Sequence, residues 1–181
     1  MTHFEKTVEE KTVYAGRIVT VRSDTVELED GRIAPREVVC HPGGVGIVAV
    51  DGSGRLALVR QYRYPMAEEL LEIPAGKLEP DEEPLTCAIR ELSEETGMTA
   101  ERYVDLGAVY PSPGYCRETL YLYLAVNPVP GKAHLDEGEF LTVERVPFED
   151  AVDMIMENRI RDAKTVIGVL KAQKYFSRCG K

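Results

Sequence analysis

The chain is short of several things. It has no tryptophan, only three histidines and only four cysteines in 181 residues. Cys40, Cys87, Cys116 and Cys179 form no CxxC pair and show no metal-ligand spacing. A zinc site therefore has little support, and all four read as reduced thiols of a cytoplasmic protein. His3, His41 and His134 are scattered, which leaves no basis for a histidine-based nucleophilic triad. Positive charge is also scarce. Against 31 Asp and Glu stand 22 Lys and Arg, a formal net charge of −9. Free nucleic acid, whose phosphates demand cationic contacts, is not an expected partner. No apolar run approaches the ~20 residues of a membrane span. The charged start MTHFEKTVEEK does not read as a signal peptide. No internal repeat or low-complexity segment is present. A chain of this length is one domain, or one domain with a small extension, and it can bury a sizeable core.

The acidic residues are concentrated. Seven of the 31 lie between Glu79 and Glu95. Residues 76–98 read GKLEPDEEPLTCAIRELSEETGM. Gly76, Glu82, Arg90, Glu91, Glu94, Glu95 and Gly97 fall at the spacing G-x5-E-x7-R-E-U-x-E-E-x-G-U, with Leu92 and Met98 in the apolar positions. From ordinary residue frequencies, such a match arises with a chance on the order of 10^-7 per starting point.

This segment predicts a helix. Asp81 is a good N-cap, Pro84 is tolerated in a first turn, and Gly97 suits the left-handed residue that ends a helix. Leu85, Ile89 and Leu92 recur at i, i+4 and i+7 as the expected buried stripe, with Cys87 near that side. Glu91, Glu94 and Glu95 fall on the opposite arc at roughly 100° per residue. Like charges at this spacing repel, and within the helix only Arg90 offsets them. Bound cations would complete the compensation. Carboxylate oxygens are the ligands that Mg2+ and Mn2+ prefer, and such ions screen the charge by which a pyrophosphate repels an oxygen nucleophile. The acidic face beside a glycine-containing loop is thus expected to be a metal–pyrophosphate platform rather than a solvated charge run.

Around this helix, Thr12–Tyr14, Ile18–Val21, Thr25–Leu28 and Arg36–Cys40 read as an antiparallel meander with a hairpin turn at Asp30-Gly31. Val45–Val50, Arg55–Tyr62, Leu70–Ile73, Tyr103–Tyr110, Leu120–Val126 and Phe140–Val146 read as strands, and Pro111-Ser-Pro-Gly114 as a loop. Pro147–Ile160 and Asp162–Phe176 read as helices. The alternation predicts a layered α/β domain.

The spacing over 76–98 is that of the Nudix box, and the chain resembles the Nudix hydrolases, which use divalent metal to cleave nucleoside diphosphates linked to another group. The flanks narrow the resemblance. They are Gln61-Tyr-Arg-Tyr-Pro65, Glu72-Ile-Pro-Ala-Gly-Lys-Leu-Glu79, Pro113 at 16 residues after Gly97, and Asp24-Thr-Val-Glu-Leu, Pro35-Arg-Glu-Val-Val39 and His41-Pro42. Together they are similar to the ADP-ribose pyrophosphatases, most strongly over 60–98 and less after 140. The resemblance implies a Nudix α/β/α sandwich over residues 44–181, preceded at 1–43 by a small antiparallel β extension that would serve homodimerisation. It implies hydrolysis of ADP-ribose to AMP and ribose 5-phosphate. GDP-mannose or another nucleoside-diphosphate sugar is the alternative substrate. A third reading is a sensor that binds a nucleotide sugar without cleaving it, and the intact set of box acids argues against it.

By position, the resemblance implies Glu91 and Glu95 as metal ligands, Glu82 and Glu94 in support, and the Ala75 carbonyl as a further ligand. The metal would be Mg2+, with Mn2+ as a substitute. Arg90 would orient the box glutamates. Arg63 and Arg36 would contact the substrate's phosphates or ribose, Arg36 across a subunit interface, and Arg60 and Pro113 are further candidates on the substrate side. Glu137 or Glu139 would be the base that takes a proton from the attacking water, with Glu137 the better fit to the pattern. Arg60 and Arg63, three apart on one strand, face opposite sides if the strand is regular, so at most one of them reaches the site. Some enzymes of this group sandwich the adenine between tryptophans, and this chain has none. Its base would stack on Tyr, Phe or an aliphatic side chain, while Tyr121-Leu-Tyr123 reads as core.

Overall fold

Valine, isoleucine and threonine recur between residues 6 and 40, and strands form there. The computed structural model describes residues 3–136 and 138–179. Numbered in chain order, β1 is Lys6–Glu9, β2 Thr12–Ala15, β3 Thr20–Glu27 and β4 Ile33–Cys40. The two short strands expected at 18–21 and 25–28 are one strand, because β3 pairs with β4 without interruption from Thr20↔Cys40 to Glu27↔Ile33. The Asp30-Gly31 turn joins them, with Gly31 at φ 82° and its amide 2.9 Å from the Leu28 carbonyl. Strands β1 and β2 both pair with β3. The sheet is completed by β10 (Cys116–Arg117), parallel to β4. The segment Tyr110–Thr119 thus forms one compact unit with the residues up to Gly43.

The second unit spans Gly44–Val109 and the residues from Leu120 onward. Its strands are β5 (Gly44–Val50), β6 (Arg55–Arg63), β7 (Glu68–Glu72), β8 (Ala75–Lys77), β9 (Arg102–Val109), β11 (Leu120–Val126) and β12 (Leu141–Pro147). Its helices are α1 (Pro84–Thr96), α2 (Phe148–Met156) and α3 (Ala163–Cys179). The strand order is β12-β6-β5-β11-β9, with β7 beside β6 and β8 beside β5. The β5–β11 pair is parallel and the others are antiparallel.

Alternate residues of β5 serve two cores. Val45, Ile47 and Ala49 pack with Ala57, Cys87, Ala88, Leu92 and Met98 on the α1 face. Val48 packs with Leu56, Leu58, Leu122, Leu124, Phe148 and Val169 on the α2–α3 face. A strand covered on both faces has no polar side, which is why 45–50 reads as an unbroken apolar run. Each fully buried Leu or Ile contributes about 1.5–3 kcal/mol. The result is an α/β/α sandwich. Among the described residues, no helix is long and apolar enough to cross a membrane.

Helix α1 departs from expectation in two ways. It begins at Pro84 with Glu83 as N-cap and no side-chain capping bond, while Asp81 sits at φ 60° in the preceding turn. Proline at the first helical position holds Glu83 extended, so the helix cannot begin earlier. The buried stripe is also displaced. Cys87, Ala88, Glu91, Leu92, Glu95 and Thr96 are buried, whereas Leu85 and Ile89 are 43% and 42% exposed. At 100° per residue this is a rotation of roughly 80°. Glu91 and Glu95, expected on the open arc, are turned onto β8 and take the place given to Leu85 and Ile89. At the other end, Gly97 (φ 70°) closes the helix with its amide 2.9 Å from the Ser93 carbonyl, as expected.

Candidate active site

Strand β8 meets α1 at a position only glycine can occupy. A Cβ on Gly76 would lie 1.8 Å from Cδ and Oε1 of Glu91. The Glu91 carboxylate therefore rests directly on the backbone of β8. One turn on, Glu95 Oε2 accepts a hydrogen bond from the Ala75 amide at 3.0 Å. Glu91 and Glu95 are only 9% and 4% exposed. Burial raises the proton affinity of both, and that of Glu95 rises to about 8. The charge of Glu139 pushes both the same way, which puts Glu139 within electrostatic reach of the pair. Glu137 lies outside the described residues.

Arg90 gathers the remaining box acids. Its Nε and Nη2 each donate to Glu82 at 3.0 Å, and its Nη1 donates to Glu91 at 2.8 Å and Glu94 at 2.9 Å. A planar guanidinium is suited to this multiple role. Its hydrogen bonds hold Glu82 down to about 2. Cys87, whose Sγ lies 3.3 Å from Arg90 Nη2, is wholly buried, and burial pushes its thiol up to about 12. It is not a nucleophile.

Among the described residues, no three His, Cys, Asp or Glu side chains converge closely enough to cage a metal. Arg90 draws Glu82, Glu91 and Glu94 to itself, and Glu95 turns to the Ala75 amide. The donors still suit a hard divalent cation, because they are carboxylate oxygens beside the half-buried backbone of β8. Glu91 and Glu95 are also buried with too little positive charge around them, and a cation supplies what the fold withholds.

The two arginines of β6 part company. The strand is regular, so Arg63 lies on the face of Ala57 and Val59, toward α1, while Arg60 lies on the face of Leu58. Arg60 is bound at 2.5 Å to Glu144 of β12. Arg63 is bound twice to Glu72, and 38% of its side chain remains exposed. Glu72 is 1% exposed and also pairs with Lys164 at the start of α3. Beside it, Thr165 Oγ1 donates to Asp162 Oδ2 at 2.6 Å and accepts the Ile73 amide at 2.9 Å. This group, absent from the sequence reading, fixes the backbone that leads into Ala75. Asp162 just ahead of α3, whose Oδ2 accepts the Thr165 amide at 3.0 Å, is an N-cap signal that could have located it.

Arg36 and Pro113 belong to the first unit. Arg36 Nε donates to Glu5 at 2.8 Å, and Nη1 to the Pro35 carbonyl at 2.8 Å. Pro113 lies in the turn where the Cys116 amide bonds the Ser112 carbonyl at 2.9 Å.

Residues 41–167 match the NUDIX domain, and residues 5–39 match the nucleoside diphosphate sugar hydrolase N-terminal domain. The chain is 40% identical to an ADP-ribose pyrophosphatase of Bacillus subtilis, over 91% of this chain and 90% of that protein. It is 41% identical to a methanol dehydrogenase activator of Bacillus methanolicus, with the same coverage. A GDP-mannose pyrophosphatase of Yersinia pestis is 34% identical over 78% of this chain and 76% of its own length. The fold superposes on the crystal structure of an ADP compounds hydrolase with a TM-score of 0.88, at 24% identity, covering 99% of this chain and 98% of that one. A box whose first glycine makes room for its own glutamate, in a chain matched this widely, has one family home: the protein belongs to the Nudix hydrolases.

Proposed function

We propose that this protein hydrolyses the pyrophosphate bond of ADP-ribose, giving AMP and ribose 5-phosphate. The observation that carries the reading is that the buried, undercompensated pair Glu91 and Glu95 shares the α1 side of the sheet with the half-exposed cation Arg63. Anionic groups of a diphosphate can lie between cations held by the first and the guanidinium of the second. The substrate assignment is supported by the ADP-ribose pyrophosphatase of Bacillus subtilis.

Glu91, Glu95 and the Ala75 carbonyl would hold Mg2+, or Mn2+ in its place, with Glu82 and Glu94 in support. When bound, the ion neutralises phosphate charge and acidifies water. Arg90 keeps Glu82, Glu91 and Glu94 in register for that task. Arg63 orients the diphosphate and offsets charge that grows on its equatorial oxygens. Water attacks one phosphorus while Glu139 accepts its proton; Glu137 is the alternative acceptor. The bond from that phosphorus to the bridging oxygen breaks, and its electron pair leaves with the second phosphate. Arg36 and Pro113 are the further proposed substrate contacts, whereas Arg60, on the opposite face of β6 from Arg63 and bound to Glu144, is not one. The extension at 1–43 would join two copies into a homodimer in the cytoplasm, with the catalytic domain at 44–181.

The Yersinia pestis relative favours a second substrate, GDP-mannose. Phosphate release coupled to alkaline phosphatase separates the two, using ADP-ribose, GDP-mannose, UDP-glucose, NADH and diadenosine polyphosphates with Mg2+. A strong preference for ADP-ribose is expected. Preference for GDP-mannose would keep the chemistry and discard the substrate. Tight binding of ADP-ribose without turnover in either Mg2+ or Mn2+ would indicate a sensor instead.

A further inference from the structure

Residues 129–134 run antiparallel to residues 94–99, the end of the box helix and the turn after it, and among the described residues the hydrogen bonds that fasten them are between backbone groups. Thr99 and Val129 exchange amide bonds of 3.1 and 2.8 Å. Two residues further along each segment, Gly97 and Gly131 cross. A Cβ on Gly131 would lie 2.5 Å from the Gly97 carbonyl oxygen. A Cβ on Gly97 would lie 2.6 Å from both Ala133 N and the Lys132 carbonyl carbon. Finally, the His134 amide donates to the Glu94 carbonyl at 2.9 Å, satisfying one of the acceptors a helix leaves open at its C-terminus. The box glycine Gly97 is thus required twice, once for its left-handed φ and once for clearance.

This strap ends five residues before Glu139, and β12 takes up the chain at Leu141. Glu139 therefore sits on a short loop held at one end by the helix that carries Glu91 and Glu95, and at the other by the sheet. We propose that Gly131 is a positioning residue for the hydrolysis. By letting the strap lie flat against the end of α1, it sets where Glu139 stands relative to Glu91 and Glu95. The inference rests on the reading of Glu139 as the base. The hydrogen bonds of the strap to residues 94–99 are backbone ones among the described residues, and the close approach falls on the two glycines that cross.

Gly131 lies outside the left-handed region, so Gly131→Ala adds a methyl group without backbone strain of its own. That methyl meets a carbonyl oxygen, and the strap must lift. Misplacement of a catalytic group by about 1 Å costs on the order of 10²-fold. The expected result with ADP-ribose is a kcat about 10–100-fold lower, with KM and Mn2+ affinity within about twofold of the parent. Glu139→Gln is expected to be at least as slow, and the double variant G131A/E139Q no slower than E139Q, since both act through one group. Full activity in G131A alongside an impaired E139Q overturns the proposal and leaves the base reading intact. A double variant slower than E139Q by the full factor of G131A also overturns it, because Gly131 then acts elsewhere. Full activity in E139Q removes the base reading and the proposal together. His134→Pro removes the amide that bonds Glu94 and places its ring against that carbonyl, so it lifts the strap from the other end, carries the same expectations, and serves as the test if G131A does not fold.

Discussion

Glu72 receives two hydrogen bonds from Arg63, Nε to Oε1 at 2.7 Å and Nη2 to Oε2 at 2.8 Å. The guanidinium is thereby fixed along one edge, and among the described residues its Nη1 has no hydrogen-bond partner, which suits it to an incoming anion. Lys164 pairs with the same carboxylate, so Arg63 is not fully neutralised by its anchor. Glu72→Gln removes the acceptor charge from under two cations. Loss of one partner of a buried ion pair costs roughly 3–5 kcal/mol. We expect E72Q to unfold at lower urea and to show a reduced kcat/KM for ADP-ribose. Parent-like values of both would refute this account of Arg63.

The same pair gives the protein an acid limb. Burial works against ionisation of Glu72, but the hydrogen bonds of Arg63 and the charge of Lys164 outweigh it and hold the carboxyl below its ordinary 4.5. A carboxyl depressed in the folded state adds stability that is present above about 4.5 and lost as pH falls through the lower, folded value. Urea midpoints measured downward from pH 5 should fall more steeply for the parent than for E72Q. Parallel curves would show that Glu72 is not the group responsible.

Glu95 has the opposite sign. Its folded value of about 8, against an ordinary 4.5, means that the folded protein binds the extra proton between those limits. This group therefore lowers the stability of the metal-free protein as pH rises from 4.5 toward 8. A divalent cation competes with that proton. Mg2+ and Mn2+ should bind more tightly with rising pH and release protons on binding, as calorimetry in buffers of different ionisation enthalpy would reveal. E95Q should reduce the proton release, leaving what Glu91 contributes. Metal binding that is indifferent to pH across this range would exclude Glu95 as a ligand.

Gly76→Ala tests the floor under Glu91. The added methyl would occupy the place of the carboxylate, so Glu91 must swing away while the core around Leu92 stays intact. We expect metal affinity and kcat each to fall by about 10-fold or more, within the range seen when groups supporting a metal site are lost, with a melting temperature close to the parent. Undiminished metal affinity would show that Glu91 is not a ligand.

Leu92→Ala and Leu85→Ala separate the two faces of α1. Leu92 is wholly buried and Leu85 is 43% exposed. The first should lose roughly 2–5 kcal/mol through the cavity it leaves, and the second less than about 1 kcal/mol. Equal losses in urea titrations would restore the stripe expected from the sequence.

Much of this was legible in the chain, and the failures share a cause. The strand Leu120–Val126 lies where its apolar residues place it, and Gly97 ends the helix as its spacing implies. Periodicity misjudged α1 because it assigns carboxylates to solvent. Here Glu91 and Glu95 are buried, one under the fork of Arg90 and the other on the Ala75 amide. The Lys164–Glu72–Arg63 group joins residues far apart in sequence, which no local pattern reports. The crossing of Gly97 and Gly131 was hidden for the same reason: a glycine shows that space is needed but not what fills it.

Val109 and Leu120 are register partners on β9 and β11. The chain leaves for the first unit and returns at the same rung of the ladder. A cut made at Gly43 by sequence alone would leave both pieces incomplete, since a fragment starting at Gly44 would keep β10 without β4 beside it. An orphaned strand edge is a template for association. Replacing residues 110–119 with a two-residue hairpin turn, whose footings Val109 and Leu120 already provide, is the excision that would yield the second unit as a self-contained piece.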